Sequence, residues 1–449
     1  MGRRTMVLVA MTVGLVVGDG GIAGVSGADA LPSRTIPESL TLERALELAL
    51  SNHPSLRVAS GTQAVNEALV GQARSGFYPQ VQGQSSYQRR TANLASSFGG
   101  GSITRNARGD TFGSYQNSVA LNQLLYDFGT TKSQVDTAQF NLHAANSDAE
   151  TALQTVVVNV QQAYFGLQQA QRLLTVNEEA IGQFQKHLDL AKGRFKAGVA
   201  PKIDVTTAEV DFSNARLNLI TAKNNLSVAR VTLNNAMGIP SADPYRVLEP
   251  EVLEPYQVAL DEAVTRAMQL RPEMISQRAQ ERSAEVAIKA AQGNYFPTVT
   301  SSANYSYSGN DFPLVYNWNV TGTVNIPIFS GFLTQQQVAQ ARANLLKTKA
   351  NGEVLKQNIL LEVNQALLNL EAAKERLQVT AVTVVQAKER LAQVEGRYKA
   401  GLNNAVEVTD AEVALVNAQV NDVVAISNYQ AAKAALDRAM GISTPVKGS

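Results

Sequence analysis

The chain contains no cysteine. That absence excludes disulfides, thiolate metal sites, cysteine nucleophiles and lipid attachment at an N-terminal cysteine. Excess charge is missing too: 39 Lys and Arg stand against 38 Asp and Glu. No basic block is left over, so no nucleic acid is expected as a partner. Past residue 30 no apolar run reaches the ~20 residues of a membrane helix. Any entry into a membrane must therefore be by strands. No nucleophile–base pair, metal-ligand cluster or phosphate loop is visible, which argues against an enzyme and against a cofactor.

What the sequence does contain begins with a leader-like segment. Arg3 and Arg4 precede a short apolar run from Met6 to Val17, and Ala28-Asp29-Ala30 is a small-x-small site. The pattern predicts a secretory signal peptide over residues 1–30. The alternative, a membrane anchor, fits poorly because Gly14 and Gly18 interrupt a run already too short to span.

The rest of the chain is written twice. Arg194-Phe195-Lys196-Ala197-Gly198 returns as Arg397-Tyr398-Lys399-Ala400-Gly401, and Ala236-Met237-Gly238-Ile239 as Ala439-Met440-Gly441-Ile442, always 203 residues apart. Upstream, Leu42-Glu43-Arg44-Ala45 matches Leu260-Asp261-Glu262-Ala263, and Phe77-Tyr78-Pro79 matches Tyr295-Phe296-Pro297, now 218 apart. So the first half carries 15 extra residues, placed by their Gly-rich composition in a loop over residues 96–113. A period this long is a duplicated half-molecule, not a solenoid. The counterparts of His53, His143 and His187 are Arg271, Leu346 and Arg390. The histidines therefore read as scattered surface residues and not as a metal site.

Proline is absent from Thr130 to Lys196 and from Leu333 to Lys399. Within these runs Val156, Val160, Ala163, Leu167, Ala170 and Leu174 are spaced 4-3-4-3-4, and Ile359, Val363, Ala366, Leu370, Ala373 and Leu377 repeat the spacing. That is a coiled-coil seam. Past each Ala-Gly turn a second helix alternates small and large residues at the same spacing: Val205, Ala208, Phe212, Ala215 and onward, and Val408, Ala411, Leu415, Ala418 and onward. Asp422 is the one departure. Each half thus predicts an antiparallel helical hairpin, over 130–238 and 331–441, whose first helix is on the order of 100 Å long.

Between the helices lie four segments of period two, expected at about 77–90, 112–126, 295–308 and 314–328. One face of each is Gln, Asn, Ser and Thr; the other carries Tyr305, Tyr307, Trp318, Val320 and Val324. A half-buried soluble sheet shares this alternation. The neutral polar face and the aromatics near the strand ends favour a transmembrane barrel, with those five residues facing lipid. Four strands cannot close a barrel and an open edge is not tolerated in lipid. Several chains must share one, and three copies supply twelve strands. The predicted organisation is a first repeat at 31–240, a linker at 241–257, a second repeat at 258–442 and a tail at 443–449.

These features, with the doubled G-x(5)-[DE]-V-x(2)-A-E tips and the strand–helix junctions Leu125-Tyr126-Asp127 and Ile328-Phe329-Ser330-Gly331, resemble the TolC family of outer-membrane channel proteins over residues 40–442. The resemblance implies a mainly α protein with a small β part. It implies a homotrimer: a 12-stranded barrel in outer-membrane lipid, continued by an α-helical barrel across the periplasm. It further implies docking to a periplasmic adaptor and an inner-membrane transporter of the RND, ABC or MFS type, in a tripartite efflux pump or a type I secretion system. The missing cysteine departs from lipid-anchored members.

Glu407 and Asp410 lie three apart on one helix face; a trimer would set six carboxylates around the periplasmic mouth, a ring selecting cations. The local alternative is that Asn404 and Glu407 form a capping box. Resemblance implies a closed-state lock between Tyr398 and Asp204; the alternative is an exposed tyrosine replacing Phe195. Asn403 stands where the family pattern has a basic residue, which weakens a salt-bridged lock. The tips, with Gly198, Val199 and Lys202 in one half and Gly401, Leu402 and Asn403 in the other, are the expected adaptor contact. Two competing readings remain: a periplasmic structural coiled coil without a pore, and a pump adaptor, which predicts a single hairpin.

Overall fold

The structure is a computed structural model that describes residues 39–91, 111–240, 244–248 and 256–442. The expected leader, most of the inserted loop and the tail lie outside the described residues. The duplication is visible element by element. The first half runs β1 (Ser39–Leu40), α1 (Leu42–Asn52), α2 (Pro54–Arg74), β2 (Gln80–Thr91), β3 (Thr111–Tyr126), α3 (Thr130–Lys196) and α4 (Lys202–Ala236). The second runs β4 (Arg246–Val247), α5 (Leu260–Leu270), α6 (Pro272–Gly293), β5 (Thr298–Gly309), β6 (Val315–Asn325), α7 (Leu333–Lys399) and α8 (Ala405–Ala439). Both long helices have 67 residues and both return helices 35.

The seams predicted from spacing form the core. Val156, Val160 and Leu167 of α3 pack with Leu46 and Leu48 of α1 and Leu233 of α4. Ile359, Val363, Ala366 and Leu370 of α7 pack with Ala263 of α5 and Leu436 of α8. Asp422, the departure in the α8 pattern, accepts a hydrogen bond from Thr380 Oγ1 of α7 at 3.0 Å. The polar group is thus partnered within the seam, as a half-buried carboxylate requires.

The C-terminal ends of all four hairpin helices close the same way. At each, a glycine with φ between +71° and +77° follows the last turn. Its N–H bonds back three residues and the next N–H five: Gly198 to Phe195 and Val199 to Arg194, Gly401 to Tyr398 and Leu402 to Arg397. This is the Schellman geometry, which needs a left-handed residue and so selects glycine. The strand–helix junctions match too. Phe128-Gly129 and Gly331-Phe332 are consecutive left-handed pairs, and the Asp127 carboxylate accepts from the N–H groups of Gly129 and Thr131 to start α3.

The four longer strands form one antiparallel sheet ordered β2-β3-β5-β6, so β3 and β5 join the two halves. The linker expected over 241–257 is, in its described part, a packed element: β4 pairs in parallel with β1 and Tyr245 is buried. Its two-residue strand is too short to leave a periodic signal. The short helices α1, α2, α5 and α6 brace the long ones and went unread as separate elements.

Candidate functional site

The sheet is the first half of the site. Its register sets Tyr305 opposite Trp318, Tyr307 opposite Tyr316, Ala303 opposite Val320 and Val299 opposite Val324. On the neighbouring ladder Val119 faces Tyr305 and Leu121 faces Ala303, and Val81 then faces Leu121. Cross-strand partners share a face, so every apolar strand residue predicted to face lipid lies on one side. That side is uncovered: Trp318 is 69% exposed and Val320 67%. The opposite side is a ladder of Gln82, Ala120, Asn304 and Asn319, and of Gln84, Ser118, Ser306 and Asn317.

Aromatic clusters bound this face at both ends. Tyr87, Tyr115 and Phe312 touch ring to ring in sequence at the end away from the helices. Tyr126, Phe128 and Phe296 do so at the junction. Between the clusters β5 runs from Thr298 to Gly309, about 36 Å along the strand. A tilt of about 45° reduces that to about 26 Å, close to the apolar band of an outer-membrane barrel.

The second half of the site is at the far end of the hairpins. Glu407 and Asp410 are exposed in the first two turns of α8. The Asn404 side chain accepts from Glu407 N–H at 3.0 Å. That supplies the capping contact on the backbone while leaving both carboxylates in solvent. Val199 and Leu402, the residues following the cap glycines, are 64% and 72% exposed. Their counterparts Ile239 and Ile442 pack into the core. Lys202 opens α4 and is exposed, whereas Asn403 is half-buried.

Two expectations here are corrected. Tyr398 is buried, not an exposed substitute for Phe195. The Arg194 guanidinium lies over its ring at 4.6 Å and donates to its carbonyl oxygen at 2.9 Å. Its hydroxyl has no hydrogen-bond partner, so no Asp204–Tyr398 bond is made in this conformation. Burial pushes the Tyr398 phenol above the ordinary tyrosine range, with Arg194 opposing and the Asp204 charge reinforcing the shift.

The histidines are not all at the surface either. His53 caps α2, accepting from Ser55 N–H, and His143 is exposed. His187 is buried, stacked on Tyr398 with ring centroids 5.9 Å apart, and its Nδ1 lies 3.6 Å from Oε2 of Glu412. A signal exists in the sequence: Ala180, Phe184, His187 and Ala191 are spaced 4-3-4, a seam set one residue out of phase with the one that ends at Leu174.

The family model described as outer membrane efflux protein matches residues 45–239 and 263–442, breaking where the duplication does. The chain belongs to this family. It is similar to the outer membrane efflux protein BepC of Brucella suis, at 23% identity over 410 residues covering 90% of this chain and 86% of the relative. It is similar also to the outer membrane protein TolC of Escherichia coli, at 24% identity covering 88% and 81%. In fold it matches the CmeC outer membrane channel of Campylobacter jejuni with a TM-score of 0.80, at 17% identity, covering 91% of this chain and 87% of that one. As a family member this is an outer-membrane efflux channel protein and not an enzyme. Its two hairpins and four-stranded sheet also depart from the single hairpin expected of an adaptor.

Proposed function

We propose that three copies of this outer membrane efflux protein close a 12-stranded barrel and a helical conduit, forming the passive exit duct of a tripartite efflux pump or a type I secretion system. The observation that carries this reading is the uncovered apolar sheet face, fixed in register and framed by aromatics. A face of that kind is stable in hydrocarbon and costly in water. The two open edges, β2 and β6, demand pairing with a neighbour in lipid. The exposed Gln and Asn face then lines the lumen.

At the other end the tips, with Gly198, Val199, Lys202, Gly401, Leu402 and Asn403, form the contact with a periplasmic adaptor. Val199 and Leu402 supply exposed apolar anchors there. Through the adaptor the duct joins an inner-membrane transporter. Glu407 and Asp410 line the periplasmic mouth as an acidic ring that favours cations. Asp204 and Tyr398 form a polar contact in a closed state different from the conformation described here.

The test is single-channel conductance in a planar bilayer for the wild type and the Glu407→Ala/Asp410→Ala double variant. Cation-selective pores whose selectivity drops in the variant support both duct and ring. Unchanged selectivity returns the two acids to local helix duty. A folded trimer that gives no pores and needs no detergent would favour the structural coiled-coil reading.

A further inference from the structure

The chain is a strip with two flanks, and each flank is made of the same elements at every level. In the sheet the edges are β2 and β6. In the helices next to the sheet, α2 packs on α3, α3 on α6 and α6 on α7. Toward the tips α4 packs on α3, α3 on α8 and α8 on α7. Because β2 follows α2 and β6 leads into α7, one flank is β2, α2 and α4, and the other is β6 and α7.

Both flanks carry an uncovered heptad row. On α4, Leu217, Asn224 and Val231 stand two residues past Ala215, Ala222 and Ala229 of the seam with α3. On α7, Leu368 and Glu375 stand two residues before the seam residues Leu370 and Leu377, and Val382 follows one heptad on. Two residues turn a helix by about 200°, so both rows face away from their own hairpins. Leu217, Val231, Leu368 and Val382 are each more than half exposed. Asn224 and Glu375 are exposed too, and neither finds a hydrogen-bond or ion-pair partner among the described residues. Counted from the cap glycines Gly198 and Gly401, Leu217 and Val382 are each 19 residues away, Asn224 and Glu375 each 26, and Val231 and Leu368 each 33. The tips are level, since Arg194 of α3 donates to the Tyr398 carbonyl of α7. The two rows therefore show the same order, apolar, polar, apolar, at the same height to within about one helical turn.

We propose that the α4 row of one copy packs antiparallel on the α7 row of the next, and that Asn224 and Glu375 pin the register. Leu217 meets Val382 and Val231 meets Leu368, removing apolar surface that a single chain leaves in water. Between them the Asn224 amide donates to the Glu375 carboxylate, a charge-assisted bond. A slip of one heptad either way sets Glu375 against Leu217 or Val231 and buries its charge unpaired, which disfavours every other register. Contact between two different flanks is head-to-tail and closes into a ring. The next pair toward the tips, Val210 and Glu389, is mismatched, so the seam stops short of the tips and leaves them free to part. The seam rests on the three-copy reading above and names the helices and residues that hold the copies together.

Because the chain lacks cysteine, Leu217→Cys with Val382→Cys places one thiol on each flank. Oxidation of this full-length variant in lipid vesicles should link chains into dimers and trimers on denaturing gels. Leu217→Cys with Leu368→Cys, about 21 Å out of register, should give no such ladder. Asn224→Asp, made without any cysteine, sets two carboxylates face to face and should lower the fraction of unheated protein that migrates as trimer. Adding Glu375→Lys should restore it, which tests the pin independently should the cysteine pair fold poorly. Equal linking by both cysteine pairs overturns the seam, and an Asn224→Asp trimer as robust as wild type overturns the pin. Conducting trimers that do not link through Cys at 217 and 382 refute the seam and leave the duct standing. Linked trimers without bilayer conductance do the reverse.

Discussion

An arginine at position 320 separates a lipid-facing sheet from a soluble one. Val320 is the central residue of β6, and its side chain is 67% exposed in the isolated chain. If that face met water, Val320→Arg would change stability by no more than about 0.5 kcal/mol, as exposed substitutions do. Against the middle of the hydrocarbon band the same change costs about 2–4 kcal/mol. In a barrel of three chains the cost is borne three times, about 6–12 kcal/mol per trimer. Thr321→Arg is the internal control. It is the next residue, also exposed, and on the opposite face of the strand, which lines the lumen in the proposed duct, so it stays within about 0.5 kcal/mol. Both variants are unfolded by denaturant from lipid vesicles, with the fluorescence of the lone Trp318 as probe. Equal stability of the two variants would refute the barrel assignment, whichever absolute value they shared.

Three further outcomes are expected. Gly441 has φ +74° and a Cβ added there would meet the Arg271 nitrogen at 2.8 Å, whereas Gly198 at φ +75° has open space around it. Gly198→Ala should therefore cost about 1–2 kcal/mol, the left-handed penalty alone, and Gly441→Ala more, measured by thermal unfolding. Leu436, fully buried between α7 and α5, should lose about 2–5 kcal/mol on replacement by alanine, read as a lower denaturant midpoint. Burial pushes the Tyr164 and Tyr245 phenols to about 12, with Glu43 adding to the first and Arg230 opposing the second. The folded chain keeps protons that the unfolded chain loses near pH 10, so stability holds below pH 10 and falls toward pH 12. The slope is about 1.4 kcal/mol per pH unit for each tyrosine; Tyr245→Phe should lessen it in denaturant titrations at alkaline pH.

Much of this architecture is legible in the sequence because it is repetitive and locally periodic. Strict alternation along β5 and β6 fixes which residues share a face, and the 3-4 spacing of α7 marks its buried seam before any partner is known. What escaped has a long-range cause. His187 occupies a seam position, yet its burial depends on α7 and α8 closing over α3, and no local pattern shows which helix will cover it. Tyr398 escaped for the same reason: its duplicate Phe195 is exposed, so the repeat itself points the wrong way. The pairing of β4 with β1 joins segments over 200 residues apart through two residues each, too little sequence to carry a signal. The acids Glu407 and Asp410 were legible as a pair on one face, but whether a pore runs past them is a property of the assembly and not of one chain.

The central claim is that the sheet face bearing Trp318 stands in lipid. The chain has no other tryptophan, so its native emission reports on that one position. We would reconstitute the full-length protein in vesicles with brominated acyl chains and compare quenching with that by aqueous iodide. Strong quenching by bromine and weak quenching by iodide is the result this account predicts. Emission untouched by bromine and quenched by iodide would contradict it, and would return the four strands to water.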